Sequence, residues 1–179
     1  MVAYKQRCGI CKNNWALVTS VRQKFPVCKD CEMKAIKQKV EDKEYAITCV
    51  SVGNPHCVIF TDTLDVEELR KYGPLLENNK LFPNRINVQF AKVISRNEIE
   101  ILIWERGAGE TSASGSSSCA VACAAKKTGL VDDNITIKSP GGELKIQLHD
   151  LDITMTGPAT EVYTAEISKE FLQSISHSL

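Results

Sequence analysis

The amino-acid sequence predicts an α+β fold in which antiparallel and mixed strands wrap one central buried helix, preceded by a small cysteine-rich module. Three observations predict it. Residues 114–129 form an alanine-rich run with no polar face until its last turn. Short strand-like segments lie on both sides of that run, which suits a lobe built around a helix better than a parallel sheet. Charge also changes sign along the 179-residue chain: residues 1–44 carry ten Lys+Arg against five Asp+Glu, and residues 45–179 carry twelve against seventeen. That asymmetry within a neutral total divides the chain into a module with linker, 1–44, and a lobe, 45–179.

Composition sets the class. An apolar fraction of 43% and a charged fraction of 25% are those of a globular protein rather than a disordered tail. In the second unit the most apolar uncharged stretch, 119–125, is far too short to span a bilayer. Residues 1–7 run into Cys8 without the apolar segment of an export signal. The expectation is a soluble cytoplasmic protein with no membrane partner. In that setting its eight cysteines read as metal ligands or buried thiols rather than disulfides.

Cys8-Gly9-Ile10-Cys11 and Cys28-Lys29-Asp30-Cys31 are two C-x-x-C pairs sixteen residues apart. Each tight turn can aim two sulfurs at one ion, and two such turns complete a tetrahedral site of zinc-ribbon spacing. Redox thiols and an iron site of the same geometry are the other readings. Four thiolates leave no open coordination position, so the zinc would be structural, and a unit this small would draw its folding energy from the metal. The run 15–21 reads as a strand, and Pro26 leads into the second turn. Lys34, Lys37, Lys39 and Lys43 read as a short solvated helix and linker, with a nucleic-acid or protein contact as the other use of that basic face.

In the second unit, residues 45–52 and 56–60 read as strands split by the turn Gly53-Asn54-Pro55. A helix is expected over 65–76, started by Asp65 and presenting Val66, Leu69 and Leu75-Leu76 on one side. Strands 86–95 and 98–104 join at Arg96-Asn97 as a hairpin, and four more strands are expected at 134–138, 143–148, 152–156 and 161–167. Between the two groups, serines offer caps for the alanine-rich helix, and Lys126-Lys127 with Gly129 close it. Its free N–H groups and positive dipole end make an anion site at Ser114–Ser117, beside a loop that brings Glu105, Arg106 and Glu110.

Gly53-Asn54-Pro55-His56, Asn84-Arg85-Ile86-Asn87-Val88-Gln89-Phe90 and Glu105-Arg106-Gly107-Ala108-Gly109-Glu110-Thr111 resemble, in order and spacing, three signatures of diaminopimelate epimerase. The likeness runs from about residue 45 to residue 167 and corresponds to the C-terminal lobe of that family. It implies a cofactor-free isomerase of the lysine and cell-wall pathway, using neither pyridoxal phosphate nor a catalytic metal. Two cysteines, one from each pseudo-symmetric lobe, stand there on opposite faces of the substrate α-carbon, because inversion needs a base on one face and an acid on the other. Carried across, the resemblance makes Asn54 and Asn87 substrate-binding residues. Glu105 and Arg106 grip the substrate's amino and carboxylate groups, and Gly115 and Ser116 supply backbone donors. His56 and Glu105 tune the catalytic thiols. Without the resemblance, Asn54 would read as a turn residue and His56 as a satisfied strand histidine. Cys49, Cys57, Cys119 and Cys123 read as packing residues.

Two departures stand out. The family's catalytic cysteine lies in an Ala-Cys-Gly context, whereas this chain reads Ser112-Ala113-Ser114-Gly115, so Ser114 holds the reactive position. A hydroxyl is a far poorer base than a thiol near neutral pH, although it can still donate or relay a proton. Cys119, a helical turn or more inward, is badly placed to substitute. Residues 1–44 are also too few to form the other lobe. The expectation is therefore half of a two-lobe epimerase site, completed by a companion lobe or a second copy. The contrasting expectation is a non-catalytic amino-acid or partner-binding module with a zinc docking element.

Overall fold

The computed structural model describes residues 5–7, 14–16, 36–149, 152–159, 161–162 and 164–176. Two short strands, β1 (Lys5–Arg7) and β2 (Asn14–Ala16), pair antiparallel. Cys8, Cys11, Cys28 and Cys31, with the rest of the expected 15–21 strand, lie outside the described residues.

The lobe is one curled sheet with a helix on each face. Its elements are β3 (Ile36–Val40), β4 (Lys43–Ser51), β5 (Pro55–Phe60), α1 (Val66–Glu77), β6 (Asn87–Ser95), β7 (Glu98–Glu105), β8 (Gly109–Thr111), α2 (Gly115–Lys127), β9 (Asn134–Ser139), β10 (Gly142–His149), β11 (Asp152–Thr156) and α3 (Lys169–Ser176). The strand order is β11-β10-β9-β7-β6-β5-β4-β3, with β8 on β7. Only β5–β6 and β7–β9 are parallel; the other pairs are antiparallel.

Alternation along each strand sorts the core into two layers. Val50, Val58, Ala91, Ile99, Ile101 and Ile103 face α2, while Tyr45, Ile47, Ile59, Val88, Phe90 and Leu102 face α1. Strands β4, β5, β6, β9, β10 and β11 all touch α2, so the sheet wraps the helix as the alanine-rich pattern predicts. Residues 120–125 of α2 are buried, and alanines at four of those six positions let strands approach on several sides without voids. Ser114 caps the helix. Its other end is a Schellman turn, in which Gly129 N donates to Lys126 O at 3.1 Å and Leu130 N to Ala125 O at 2.9 Å. Gly129, at φ +77°, takes the left-handed conformation this requires.

Helix α1 begins at Asp65, whose side chain accepts from Glu67 N at 2.9 Å. Its Gly73 lies under Trp104 so closely that an added Cβ would sit 2.8 Å from the ring. That approach brings the indole within reach of Glu77, which organises the loop carrying Glu105 and Arg106.

Two expectations are corrected. Within the segment read as a basic helix and linker, residues 36–40 are instead edge strand β3, paired to β4 from Ile36↔Ile47 to Val40↔Lys43, while Lys34 lies outside the described residues. The alternation of Ile36, Gln38 and Val40 with Lys37 and Lys39 is a period of two, and outward lysines blunt an exposed edge. Among the described residues the sheet therefore already includes Ile36, ahead of the charge step at residue 44. The strand expected over 161–167 is absent among the described residues, where Val162 and Ile167 are 86% and 60% exposed. Gly157-Pro158 interrupts the chain after β11, and a β-pattern without a neighbouring ladder cannot satisfy its backbone. Helix α3 follows, capped by Ser168 accepting from Phe171 N at 3.2 Å. Among the described residues no helix is long and apolar enough to cross a membrane.

Candidate active site

Three strand ends and one helix end meet at a single edge of the sheet. Because β5 and β6 are parallel and β7 runs against them, the starts of β5 and β6 lie beside the end of β7. Pleating puts His56, Asn87, Gln89 and Glu105 on the face that α2 covers, the same face as Val58, Ala91 and Ile103. The amino end of α2 points into this corner.

Hydrogen bonds tie the corner together. Asn54 Oδ1 lies 3.0 Å from His56 Nε2, and Asn54 Nδ2 lies 3.5 Å from Ser116 Oγ. Asn87 Nδ2 donates to Pro55 O at 2.8 Å, and Asn87 Oδ1 accepts from Arg106 N at 2.9 Å. Ser114 Oγ lies 3.4 Å from both Ser116 Oγ and Ser117 N. The structure thus brings Asn54, His56, Asn87, Arg106, Ser114 and Ser116 into one connected group, with Gly115 between the two serines. Glu105 is half-buried at the end of β7, on the same face. The Arg106 guanidinium leans on Asn84 O at 3.0 Å and stays exposed, free to meet an anion.

Gly115 has a packing role as well. An added Cβ there would lie 3.1 Å from both Met155 Cε and Sδ, so β11 closes over the helix start. Gly141 N donates to Ser112 O at 2.7 Å, which fixes the approach to Ser114.

Sequence reasoning missed the support for this site. Buried Glu77 accepts from Trp104 Nε1 at 2.8 Å, Gly107 N at 2.9 Å and Arg85 Nη1 at 3.1 Å. One carboxylate therefore pins α1, β7 and the turn after Arg106. Arg85 takes a left-handed backbone, φ +59°, a costly conformation for a non-glycine residue, held by this ion pair and by Arg85 N donating to Phe82 O. Gln89 was also missed, although a glutamine between Val88 and Phe90 in an apolar strand was a visible signal. Gln89 Nε2 donates to Ser117 Oγ at 3.1 Å inside the core.

Burial lowers the His56 pKa to about 4; Arg106 adds to this, and the neighbouring Gln89 amide opposes it. The folded-state pKa is then below the ordinary histidine value of roughly 6.5. Between these two pH values the unfolded chain binds the extra proton, so stability is complete above about 6.5 and falls as the pH drops toward 4. The loss expected from this group is about 3 kcal/mol. Denaturant melts of the wild type and His56→Gln at pH 7 and pH 4.5 measure it. Equal pH sensitivity of the two proteins would count against a buried neutral imidazole.

The thiols behave as packing residues. Cys49, Cys57, Cys119 and Cys123 are free; burial raises Cys119 to about 11 and carries Cys123 higher still. Neither helix thiol is poised to act as a base. Among the described residues no cluster of three or more His, Cys, Asp or Glu could hold a metal ion.

Comparison with known proteins agrees with the motif reading. The Diaminopimelate epimerase family profile matches residues 48–162. The chain is 46% identical over 149 residues to Diaminopimelate epimerase 2 of Nostoc sp. (strain PCC 7120), covering 82% of this chain and 52% of that protein. It is 36% identical over 170 residues to Diaminopimelate epimerase of Halothermothrix orenii, covering 93% and 60%. The chain therefore spans about half the length of the curated relatives it matches. A methylitaconate-delta-isomerase crystal structure aligns over 79% of this chain and 58% of that one, with 9% identity and a TM-score of 0.48. With matched motifs that converge on one corner of the sheet and a family profile covering most of the chain, this protein belongs to the diaminopimelate epimerase family.

Proposed function

We propose that this chain supplies one wall of a cofactor-independent isomerase site that inverts an amino-acid α-carbon, converting L,L-diaminopimelate to the meso form in lysine biosynthesis. The observation that carries the reading is the convergence of Asn54, Asn87 and Arg106 on the amino end of α2. In this reading the backbone N–H groups at Gly115 and Ser116 and the Arg106 guanidinium hold the α-carboxylate, where negative charge grows as the α-proton leaves. Glu105 takes the substrate ammonium, and Asn54 and Asn87 orient the zwitterion. Ser114 stands at the reacting face and passes a proton through Oγ. The opposite face needs a second acid or base, a thiol in the family. It comes either from a companion lobe corresponding to the half of the relatives' length that this chain does not span, or from a second copy of this chain.

Detection of deuterium at the α-carbon of diaminopimelate in D₂O tests the proposal, with the chain alone and with the first lobe of a relative added. Incorporation is expected only when both halves are present. Its absence in the mixture, with diaminopimelate binding intact by calorimetry, would favour the second reading, a binding module derived from the epimerase. Ser114 in place of a thiol is the feature that favours that reading.

We also propose that Cys8, Cys11, Cys28 and Cys31 hold a structural zinc, on the strength of their paired spacing, as a docking element for the companion. A single zinc per chain is expected by elemental analysis and should be lost in Cys28→Ser. The four lobe cysteines stay reduced in the cytoplasmic setting this reading assumes.

A further inference from the structure

Two bare acceptors lie together beneath the site. His56 is fully buried, and its Nε2 faces Asn54 Oδ1 at 3.0 Å. A carboxamide oxygen can only accept, so Nε2 carries the proton and Nδ1 carries a lone pair. Among the described residues neither His56 Nδ1 nor Gln89 Oε1 has a hydrogen-bond partner. Gln89 lies close enough to the imidazole to influence its protonation. Strand register explains the proximity, because His56 pairs with Asn87 and Gln89 is the next residue on the same face. Unsatisfied acceptors inside a core are costly, and a folded protein avoids them wherever a rotation can relieve them.

The relief is local. The two ends of a carboxamide have the same shape, and the Ser117 hydroxyl, 3.1 Å from the amide, can donate as readily as it accepts. A half-turn of the Gln89 amide lets Ser117 Oγ–H donate to Oε1 and sends Nε2–H to His56 Nδ1. Every buried polar group in the pair is then satisfied. We propose that Gln89 is a positioning residue of the site: its amide donates to His56 Nδ1, fixing the imidazole as the neutral Nε2–H tautomer whose proton is held by Asn54.

The consequence reaches the substrate wall. Ser117 lies in the first turn of α2, and Asn54 reaches Ser116. Gln89 therefore closes a path from the helix interior through His56 back to the helix mouth, and Asn54 is held with its Nδ2 toward Ser116 at the start of α2. Arg106 and Glu105 are the charged groups at this corner, and a neutral His56 leaves their pairing with a zwitterion undisturbed. This inference rests on the epimerase reading only for its catalytic meaning; the tautomer itself is a property of the free chain.

Nuclear magnetic resonance on the ¹⁵N-labelled full chain at pH 7, without substrate, tests it. The chain has three histidines, and His56→Gln identifies the signals of His56. The expected result is a protonated Nε2, an unprotonated Nδ1, and a scalar coupling across the hydrogen bond between Gln89 Nε2 and His56 Nδ1. Gln89→Glu, which cannot donate, should move the proton to Nδ1 or charge the ring, and Gln89→Leu should give a mixture of tautomers. A wild-type ring protonated at Nδ1, or no coupling to Gln89, overturns the proposal, and so does an unchanged tautomer in both folded variants. The wild-type spectrum decides even if a variant fails to fold. Failure of deuterium exchange alongside the expected spectrum would count against the epimerase reading alone.

Discussion

Replacing Ser114 by cysteine is expected to speed deuterium entry at the substrate α-carbon on the order of 100-fold, the low end of what a well-matched general base contributes. Ser114 N-caps α2 with an extended backbone, and its Oγ sits 3.4 Å from Ser117 N. A thiol there would meet the same free N–H groups and the positive end of the helix, which together lower a cysteine pKa toward neutrality. A hydroxyl in the same place stays protonated, so in the proposed site Ser114 would offer no standing base. The substitution adds one larger atom at a half-buried position, so the fold should tolerate it. The assay is ¹H NMR of diaminopimelate in D₂O with the companion half present. A Ser114→Cys variant no faster than wild type would show that the helix start is not the reacting face.

Glu77→Ala should cost about 3 kcal/mol, the loss typical of removing one partner from a buried charged network. The substitution strands the Trp104 indole N–H and the Gly107 N–H, both of which now end on this carboxylate, and releases the Arg85 guanidinium. Arg85 is half-exposed, so its ion pair supplies little of that total, and most of the cost is the two orphaned donors. For a chain of this size the melting temperature should fall by roughly 10 °C. Glu77→Gln keeps an acceptor and should fall between. The same change should loosen the 105–108 turn and raise KM more than it lowers kcat, since Glu77 touches Gly107 and not the reacting atoms. A melting temperature within 2 °C of wild type would remove Glu77 from its bracing role, since about 3 kcal/mol predicts several times that shift.

Much of the lobe was legible in sequence because its elements announce themselves locally. Asp65 and Ser114 cap helices, Gly129 ends one, and Arg96-Asn97 turns the hairpin that pairs β6 with β7. The segments that misled did so for physical reasons. Residues 36–40 are short and lysine-rich, so composition suggested a solvated helix, while pairing to β4 settled a strand. Residues 161–167 carry a strand pattern, but a strand exists only with a neighbour to satisfy its backbone, and none is supplied among the described residues.

The site divides the same way. Residue types alone singled out the helix start at Ser114 and the loop carrying Glu105 and Arg106, whereas Asn54, His56 and Asn87 became candidates through the motifs that resemble the diaminopimelate epimerase signatures. Their convergence was not local. The pairing of β5 beside β6, thirty residues on, put His56 across from Asn87, and the wrap of the sheet around α2 brought Ser116 to Asn54. Glu77 was decided by tertiary structure alone, because a glutamate ending a helix looks like a surface residue until packing removes its water; the place of Gln89 between Val88 and Phe90 hinted at burial but not at its partner Ser117. Burial and partner depend on long-range contacts, and no window along the chain contains both sides of such a contact.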